Sequence, residues 1–185
     1  VFLHGWGADA SDLAPLATVF NFPDFEYLFP NAPFRHPQVP NGRAWYALET
    51  PEYVGLPESR QLLKDWLLSL EESTEVPLER TFLAGFSQGG AMVLDVGLSL
   101  PLKGLCCLSG YLHSSPDFNT DTLPPVFIAH GTEDDRVPIQ AAQKTQEILL
   151  AMGANVDYHE FAMGHEIPMP VLAAMNQFIL SAKLE

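Results

Sequence analysis

Residues 81–92 read Thr-Phe-Leu-Ala-Gly-Phe-Ser-Gln-Gly-Gly-Ala-Met, and this stretch decides the fold. It begins with a short apolar segment typical of a buried strand and ends in an apolar segment typical of a helix. Ser87 lies at the junction, between Gly85 and Gly89, which lack the side chains that would clash where the strand and the helix pack closely. The pattern predicts a sharp strand-to-helix turn. In such a turn Ser87 is strained, and its hydroxyl is exposed at a helix N-terminus, where negative charge is favoured.

The composition restricts the function classes that are open to the chain. Its 185 residues are 47% hydrophobic and 17% charged, and the formal net charge is −14. These values predict one globular domain over residues 1–185. A strongly acidic surface repels phosphates, so we expect no nucleic-acid partner and no binding to an anionic membrane surface. No apolar run is long enough to span a bilayer and no lipidation motif is found, so we expect no stable membrane anchor.

The two cysteines indicate the redox compartment. Cys106 and Cys107 are adjacent in an apolar, strand-like run, where neighbouring side chains point to opposite faces and cannot form a mutual disulfide. Buried free thiols predict a reducing compartment, and hence a cytoplasmic location. The chain opens with Val1-Phe2-Leu3-His4-Gly5, which reads as the end of a strand. Whether residues precede it is left open.

Short β-rich runs alternate with longer helical patterns, which predicts an α/β fold with a mostly parallel central sheet and helices on both faces. Residues 30–57 interrupt this rhythm, because they contain six prolines and several aromatic residues. We interpret them as a lid or a pocket wall. The strands are predicted at residues 1–4, 25–29, 81–84, 105–108, 126–129 and 156–161. The helices are predicted at residues 12–20, 58–70, 89–100, 139–152 and 168–184.

A serine nucleophile needs a base and a group that orients the base, and in this topology the chain order is serine, acid, histidine. The strand at residues 126–129 leads into a loop that contains Glu133, Asp134 and Asp135. By position, Asp134 and Asp135 both qualify as the acid. His165 is the predicted base because it follows the last strand, in a loop that precedes a helix.

Two backbone amides are expected to stabilise the oxyanion of the reaction. One is the amide after the nucleophile, that of Gln88, and the other is that of Trp6, in the loop after the first strand. Metal chemistry is disfavoured, because His159-Glu160 and His165-Glu166 lack the spacing of a helical zinc motif. We therefore expect no metal site and no cofactor.

Several runs together resemble the phospholipase/carboxylesterase family of α/β-hydrolases, which includes acyl-protein thioesterases and bacterial carboxylesterases. The resemblance covers nearly the whole chain and implies an α/β-hydrolase fold. It selects Asp134 over Asp135 as the acid and implies Trp6 and Gln88 as the oxyanion donors. The runs that carry it are Leu3-His4-Gly5-Trp6-Gly7, Pro30-Asn31-Ala32-Pro33, Trp45-Tyr46, Gly85-Phe86-Ser87-Gln88-Gly89-Gly90-Ala91, His130-Gly131-Thr132-Glu133-Asp134-Asp135-Arg136-Val137-Pro138 and Gly164-His165-Glu166.

The sequence thus predicts a serine hydrolase that cleaves carboxylic esters or thioesters through an acyl-enzyme, with Ser87, Asp134 and His165 as the catalytic residues. Trp45 and Tyr46 are expected to bind the apolar acyl part of a small-molecule or lipid substrate. Two alternatives stay open: an amidase or peptidase on the same scaffold, and a catalytically silent hydrolase fold that serves as a binding protein. The acyl chain length, the leaving group and the formation of a homodimer are also open.

Overall fold

The computed structural model describes residues 1–20, 22–114 and 122–183. Its centre is a five-stranded, all-parallel sheet, in which the strands lie in the order β1-β4-β5-β6-β7. These strands are β1 (Phe2–Leu3), β4 (Phe82–Phe86), β5 (Gly104–Leu108), β6 (Val126–Gly131) and β7 (Val156–Phe161). A separate antiparallel hairpin is formed by β2 (Phe34–Arg35) and β3 (Arg43–Ala44).

Helices cover both faces of the sheet, as the continuous burial of residues along β4, β5 and β6 requires. In β5, Leu105 and Cys107 pack into one hydrophobic cluster, whereas Cys106 and Leu108 pack into the other. Side chains of α3, α4 and α5 belong to the first cluster, and side chains of α1, α2 and α6 belong to the second. The helices are α1 (Ala10–Leu13), α2 (Leu16–Phe20), α3 (Leu56–Thr74), α4 (Gln88–Gly97), α5 (Ile139–Ala151) and α6 (Met169–Lys183).

The topology directs the loops after the parallel strands to one edge of the sheet. Parallel strands all end on the same side, and ligands of open α/β sheets bind there. The loops after β1, β4, β6 and β7 contain Trp6, Ser87, Asp134 and His165, respectively. The parallel sheet with helices on both faces confirms the predicted fold class. Both cysteines are free and fully buried on opposite faces of β5.

Two predicted elements are wrong. The helix expected over residues 12–20 is two short helices, because Pro15 lacks the N–H that a continuous helix would need at that position. The strand expected at residues 25–29 does not form. The N–H of Phe2 donates to the carbonyl oxygen of Leu28, 2.9 Å away, but no ladder follows.

The remaining predicted elements differ from the structure mainly at their ends. Helix α3 begins two residues before the predicted helix at residues 58–70, because Pro57 occupies the first turn, where its missing N–H is not needed, and it ends four residues later, at Thr74. The predicted helix at residues 168–184 corresponds to α6, and its last residue, Leu184, lies outside the described residues. Across the described ranges, none of the helices combines the length and the apolar character needed to cross a bilayer.

Candidate active site

Ser87 occupies a strained turn between β4 and α4. Its backbone dihedral angles are φ 55° and ψ −118°, and a positive φ is unfavourable for a residue with a side chain. Close packing maintains this turn. A Cβ atom at Gly85 would lie 2.4 Å from the carbonyl oxygen of Gly89, and one at Gly89 would lie 2.2 Å from that of Leu3. Both positions therefore require glycine, and the strand and the helix can approach as the sequence predicts.

The structure brings Ser87, His165 and Asp134 together, although they are far apart in the sequence. The Oγ atom of Ser87 lies 2.9 Å from Nε2 of His165. On the other side of the ring, Nδ1 of His165 lies 2.7 Å from Oδ2 of Asp134. Because an ionised carboxylate only accepts hydrogen bonds, Nδ1 carries the ring proton and Nε2 is free to accept the proton of the serine. This is the arrangement that a serine nucleophile requires.

Asp134 is held in one orientation by its own loop. Its Oδ1 atom accepts hydrogen bonds from the backbone N–H groups of Arg136 and Val137, each at 2.9 Å, and its side chain has no exposed surface. Burial alone would raise the pKa of Asp134, but the hydrogen bonds from His165, Val137 and Arg136 outweigh it and lower the pKa below its usual value. The carboxylate is therefore ionised at neutral pH, as an orienting group for His165 must be.

His130 supports the same loop from the end of β6. Its Nε2 atom donates to the carbonyl oxygen of Val137, 2.8 Å away, and lies 3.5 Å from Oδ2 of Asp134. The side chain of Asp135, by contrast, is 82% exposed and lies 3.6 Å from the guanidinium of Arg136. Of the two aspartates that the sequence leaves open, the structure places Asp134 against His165.

The imidazole of His165 lies against an aromatic ring. Its centroid is 4.7 Å from that of Phe86, and the two planes are inclined by 39°. Phe86 therefore restricts the movement of the ring between Ser87 and Asp134. No sequence pattern predicts this role, although Phe86 immediately precedes the serine.

The two predicted oxyanion donors lie on either side of Ser87. Gln88 is the first residue of α4, and the N–H groups of a first helical turn have no partner within the helix. Within the described ranges, neither the N–H of Gln88 nor that of Trp6 has an acceptor. The Trp6 loop is close to the serine, because a Cβ atom at Gly5 would lie 3.4 Å from Cβ of Ser87.

His4 holds the Trp6 loop in place. Its Nε2 atom accepts the N–H of Ala32 at 3.0 Å, so the ring proton is on Nδ1, which donates to the carbonyl oxygen of Gly5 at 2.8 Å. The side chain is fully buried, and burial lowers the pKa of His4. A neutral His4 is therefore a fixed structural link between the loop after β1 and residue 32.

Trp45 and Tyr46 lie behind the site and not on its surface, which differs from the prediction that they contact the substrate. They are 3% and 0% exposed, because their polar atoms are used inside the protein. The indole N–H of Trp45 donates to the carbonyl oxygen of His4, and the hydroxyl of Tyr46 lies 3.0 Å from that of Tyr111. The side chain of Gln88 also accepts the N–H of Trp45 and donates to the carbonyl oxygen of Tyr46, each at 2.8 Å.

Two clefts meet at Trp6, Ser87 and His165. The larger, of about 940 Å³, has a charged mouth at Asp135 and Arg136. Its further lining includes Leu48, Tyr111, Val137, Pro138 and Ala141. The smaller cleft, of about 420 Å³, has a mainly apolar lining that includes Leu13, Leu16, Phe86 and Ile167. Tyr111 and Leu48 were missed in the sequence analysis. Tyr111 could have been predicted from the sequence, because the loop after β5 lies at the same edge of the sheet as the other loops of the site.

Among the residues that the structure describes, no three His, Cys, Asp or Glu side chains form a group that could hold a metal ion. His159, whose pairing with Glu160 lacks the spacing of a zinc motif, lies 2.8 Å from a carboxylate oxygen of Asp157. Glu160 accepts hydrogen bonds from Gln143 and Tyr158.

Comparisons with known proteins agree with this geometry. Residues 1–182 match the phospholipase/carboxylesterase family. Acyl-protein thioesterase 1 from Candida albicans is 29% identical over 97% of this chain and 89% of its own length. Carboxylesterase SOBER1 from Arabidopsis thaliana is 27% identical over 97% of this chain and 88% of its own. The crystal structure of esterase PE8 superposes with a TM-score of 0.90 at 30% identity, covering 98% of this chain and 90% of that one. The chain therefore belongs to the phospholipase/carboxylesterase family, and it is an α/β-hydrolase that cleaves carboxylic esters or thioesters.

Proposed function

We propose that this chain hydrolyses acyl esters or thioesters through an acyl-enzyme on Ser87. The observation that carries the proposal is the unbroken hydrogen-bonded series from Ser87 through His165 to Asp134, which opens into two clefts. A serine hydroxyl is a poor nucleophile by itself, and this series supplies both a base and a group that orients it. The catalytic roles of these residues are part of the proposal.

In the first half of the reaction, Oγ of Ser87 attacks the acyl carbonyl carbon while Nε2 of His165 takes the hydroxyl proton. Asp134 stabilises the imidazolium that forms. The N–H groups of Trp6 and Gln88 donate to the oxygen of the tetrahedral intermediate, which is where negative charge develops. When the intermediate collapses, the alcohol or thiol leaves with the proton from His165. The acyl group stays on Ser87.

In the second half, water attacks the acyl-enzyme. His165 takes a proton from the water, the oxyanion forms again against the same two N–H groups, and Ser87 leaves with its proton restored. Both halves use the same base, so loss of His165 or of its orientation stops acylation and deacylation alike.

The two clefts suggest where the parts of the substrate lie. The smaller cleft has the more apolar lining, so we assign the acyl chain to it. The larger cleft has Asp135 and Arg136 at its mouth and suits a polar leaving group. In this assignment, residues 30–57 act as a pocket wall through Leu48, while Trp45 and Tyr46 support that wall from inside.

The test is a ladder of p-nitrophenyl esters from acetyl to palmitoyl, with wild type, Ser87→Ala and Ser109→Ala measured together. Ser109 is a matched control, because it also has a positive φ at the end of a parallel strand but is fully buried and lines neither cleft. We expect turnover to be lost in Ser87→Ala and retained in Ser109→Ala. A folded Ser87→Ala protein with wild-type turnover would refute the proposal.

Location and assembly complete the proposal. The two buried, free cysteines support a reducing, cytoplasmic compartment. The sequence also leaves a homodimer open, and the exposed apolar side chains of Leu48 and Val54, within residues 30–57, support it. Sedimentation velocity of wild type and of Val54→Ser tests it, since a dimer that uses this surface should dissociate in the variant.

A further inference from the structure

Two arginines face each other on the β2–β3 hairpin. Arg35 and Arg43 are directly paired in the antiparallel register, so their side chains emerge on the same face with Cβ atoms about 5 Å apart. Like charges at such a position destabilise a hairpin. The arrangement is unusual in a chain that has nine Lys and Arg residues against 23 Asp and Glu residues.

Neither arginine has an ion pair with any residue in the described ranges. Asp9 lines the same cavity, but its carboxylate is used elsewhere. Arg35 also lines a second cavity, together with Glu49 and Glu58, and within the described residues it forms an ion pair with neither. It is the N-cap of α1, and its Oδ1 atom accepts from the N–H and the hydroxyl of Ser11. The hydrogen bonds from Ser11 lower the pKa of Asp9, so its carboxylate stays ionised and is held at the helix end. The two guanidinium charges are therefore left for another anion.

The arginines line a cavity of about 480 Å³ that contains further hydrogen-bond donors. Asn31 lines it and uses its side-chain oxygen to accept the N–H of Ala10, which leaves its amide NH₂ as a donor. His36 lines it as well. Its Nδ1 atom accepts the N–H groups of Gln38 and Val39, so the ring proton is on Nε2. That Nε2 atom is buried, 3.5 Å from the position of a Cβ atom at Gly7, and has no partner within the described residues. It faces the Trp6 loop, so the additional donor to the cavity is the amide of Asn31.

We propose that this cavity binds a phosphate group between Arg35 and Arg43. A guanidinium presents a planar fork of N–H donors that matches two phosphate oxygens, and one phosphate has enough oxygens for two such forks. The phosphate charge also removes the repulsion between the paired arginines. The phosphate comes either from free inorganic phosphate or from a phosphate ester group on a larger molecule, and the chemistry that recognises it is the same.

The cavity is joined to the loop that carries the proposed oxyanion donor. The N–H of Gly7 donates to the carbonyl oxygen of Arg43, and the N–H of Arg43 donates to that of Ala8, each at 2.9 Å. The ring of His36 packs edge-on against Trp6, with 4.5 Å between the centroids. A phosphate that orders the hairpin therefore also orders the loop beside Ser87. Phosphate binding itself does not depend on the proposed hydrolase mechanism, whereas this effect on turnover does.

The direct test is titration of inorganic phosphate into the protein at constant ionic strength, followed by calorimetry and by the shift in Tm. The proteins are wild type, Arg35→Gln, Arg43→Gln and the control Arg80→Gln, whose arginine is exposed and lies on the separate 3₁₀ turn Leu78–Arg80. We expect phosphate to raise the Tm of wild type and of Arg80→Gln. Each hairpin variant should bind phosphate about tenfold more weakly, since each loses a charge-assisted pair.

A second measurement separates this proposal from a general loss of folding. Without phosphate, Arg35→Gln should have a Tm equal to or above that of wild type, because one of two like charges is gone. A wild-type Tm that does not respond to phosphate, or a response that both hairpin variants retain, would overturn the proposal. Ser87→Ala should bind phosphate as wild type does, so that failure of the hydrolase mechanism and failure of this site give different results.

The source of the phosphate is decided by kinetics with two esters of the same acyl chain, one neutral and one with a phosphate on its leaving group. A larger rise of KM in Arg35→Gln for the phosphorylated ester assigns the site to the substrate. A free anion is assigned if inorganic phosphate changes turnover of the neutral ester in wild type but not in Arg35→Gln. If phosphate binds but neither kinetic effect appears, the coupling to the Trp6 loop is overturned.

Discussion

Replacing Asp134 by Asn changes one atom of the proposed triad and leaves its shape. The Oδ1 atom of Asp134 accepts two backbone N–H groups, from Arg136 and Val137. If the new amide turned its NH₂ group toward them, both donors would lose their acceptor, and the cost would be about 1–3 kcal/mol for the part-buried N–H of Val137 and less for the exposed N–H of Arg136. The Asn oxygen should therefore stay on these two N–H groups, and the NH₂ group should take the place of Oδ2, 2.7 Å from Nδ1 of His165.

An NH₂ group at that position donates and cannot accept, so His165 must present an unprotonated Nδ1 and carry its proton on Nε2. Nε2 then cannot take the proton of Ser87, which lies 2.9 Å away. Loss of the correct tautomer in a serine triad lowers kcat by about 10,000-fold, which corresponds to about 5 kcal/mol of transition-state stabilisation. We expect a loss of this size for Asp134→Asn, with little change in KM.

The assay is kcat and KM on one p-nitrophenyl ester, with circular dichroism to show that the variant is folded. Asp135→Asn is the matched control, because it removes the neighbouring carboxylate, whose side chain is 82% exposed and makes no contact with His165. Because Asp135 lines the larger cleft, its loss should act on KM for the leaving group. Its kcat should stay within about twofold of wild type, since the exposed pair of Asp135 with Arg136 contributes little and His165 bonds to Asp134. An Asp134→Asn protein with a kcat within tenfold of wild type, or a larger loss in Asp135→Asn, would refute the reasoning.

Three further predictions concern the clefts, the residues behind them and the pH dependence of stability. Ile167→Trp fills the smaller cleft and should shift the preferred acyl chain to shorter lengths on the ester ladder. Leu48→Trp, in the larger cleft, should instead change how the rate of hydrolysis depends on the leaving group. The reverse result would exchange the two assignments. Trp45→Phe should lower the free energy of unfolding, measured by urea denaturation, by about 1–3 kcal/mol, because the carbonyl oxygen of His4 loses a buried donor. The preference for acyl chain length should not change, and a changed preference would mean that Trp45 contacts the substrate. The pKa of Asp134 is lower in the folded protein than in the unfolded chain, so its ionisation stabilises the fold at pH values above the unfolded pKa, and this contribution is lost as the pH falls through the folded pKa. The difference in unfolding free energy between wild type and Asp134→Asn should therefore disappear in acid. A difference that stays constant with pH would contradict the assignment.

The parts of the site that the sequence predicted are those that local chemistry determines. Gly85 and Gly89 are required by atoms a few residues away along the chain or in the adjacent strand, and the turn at Ser87 follows from them. The order of parallel strands then brings the loops of Asp134 and His165 to the same edge. Motif and topology together were therefore enough to predict Ser87 and His165 and to restrict the acid to Asp134 or Asp135, and the family resemblance selected Asp134.

What the sequence did not predict depends on packing between distant segments. The aromatic pair Trp45-Tyr46 is as compatible with a pocket lining as with a buried support for the pocket wall. The pair is buried because its polar atoms bond inside the protein, to the carbonyl oxygen of His4 and to the hydroxyl of Tyr111. The side chain of Gln88 fixes the backbone of the same pair, a contact across 42 or more residues that no local pattern encodes.

The missed backbone features have a similar origin. Residues 25–29 are as apolar as a strand, yet they make aromatic contacts instead, such as that of Phe25 with Phe82. Apolar composition alone cannot separate these outcomes.

The most direct test of the account is the site of covalent labelling by a fluorophosphonate, which reacts only with an activated serine. Wild type and Ser87→Ala are treated in parallel, and the adduct is located by mass spectrometry of proteolytic fragments. Wild type should carry one adduct per chain, on Ser87, and Ser87→Ala should carry none. An adduct on another serine, or a folded wild type that is not labelled at all, would contradict it.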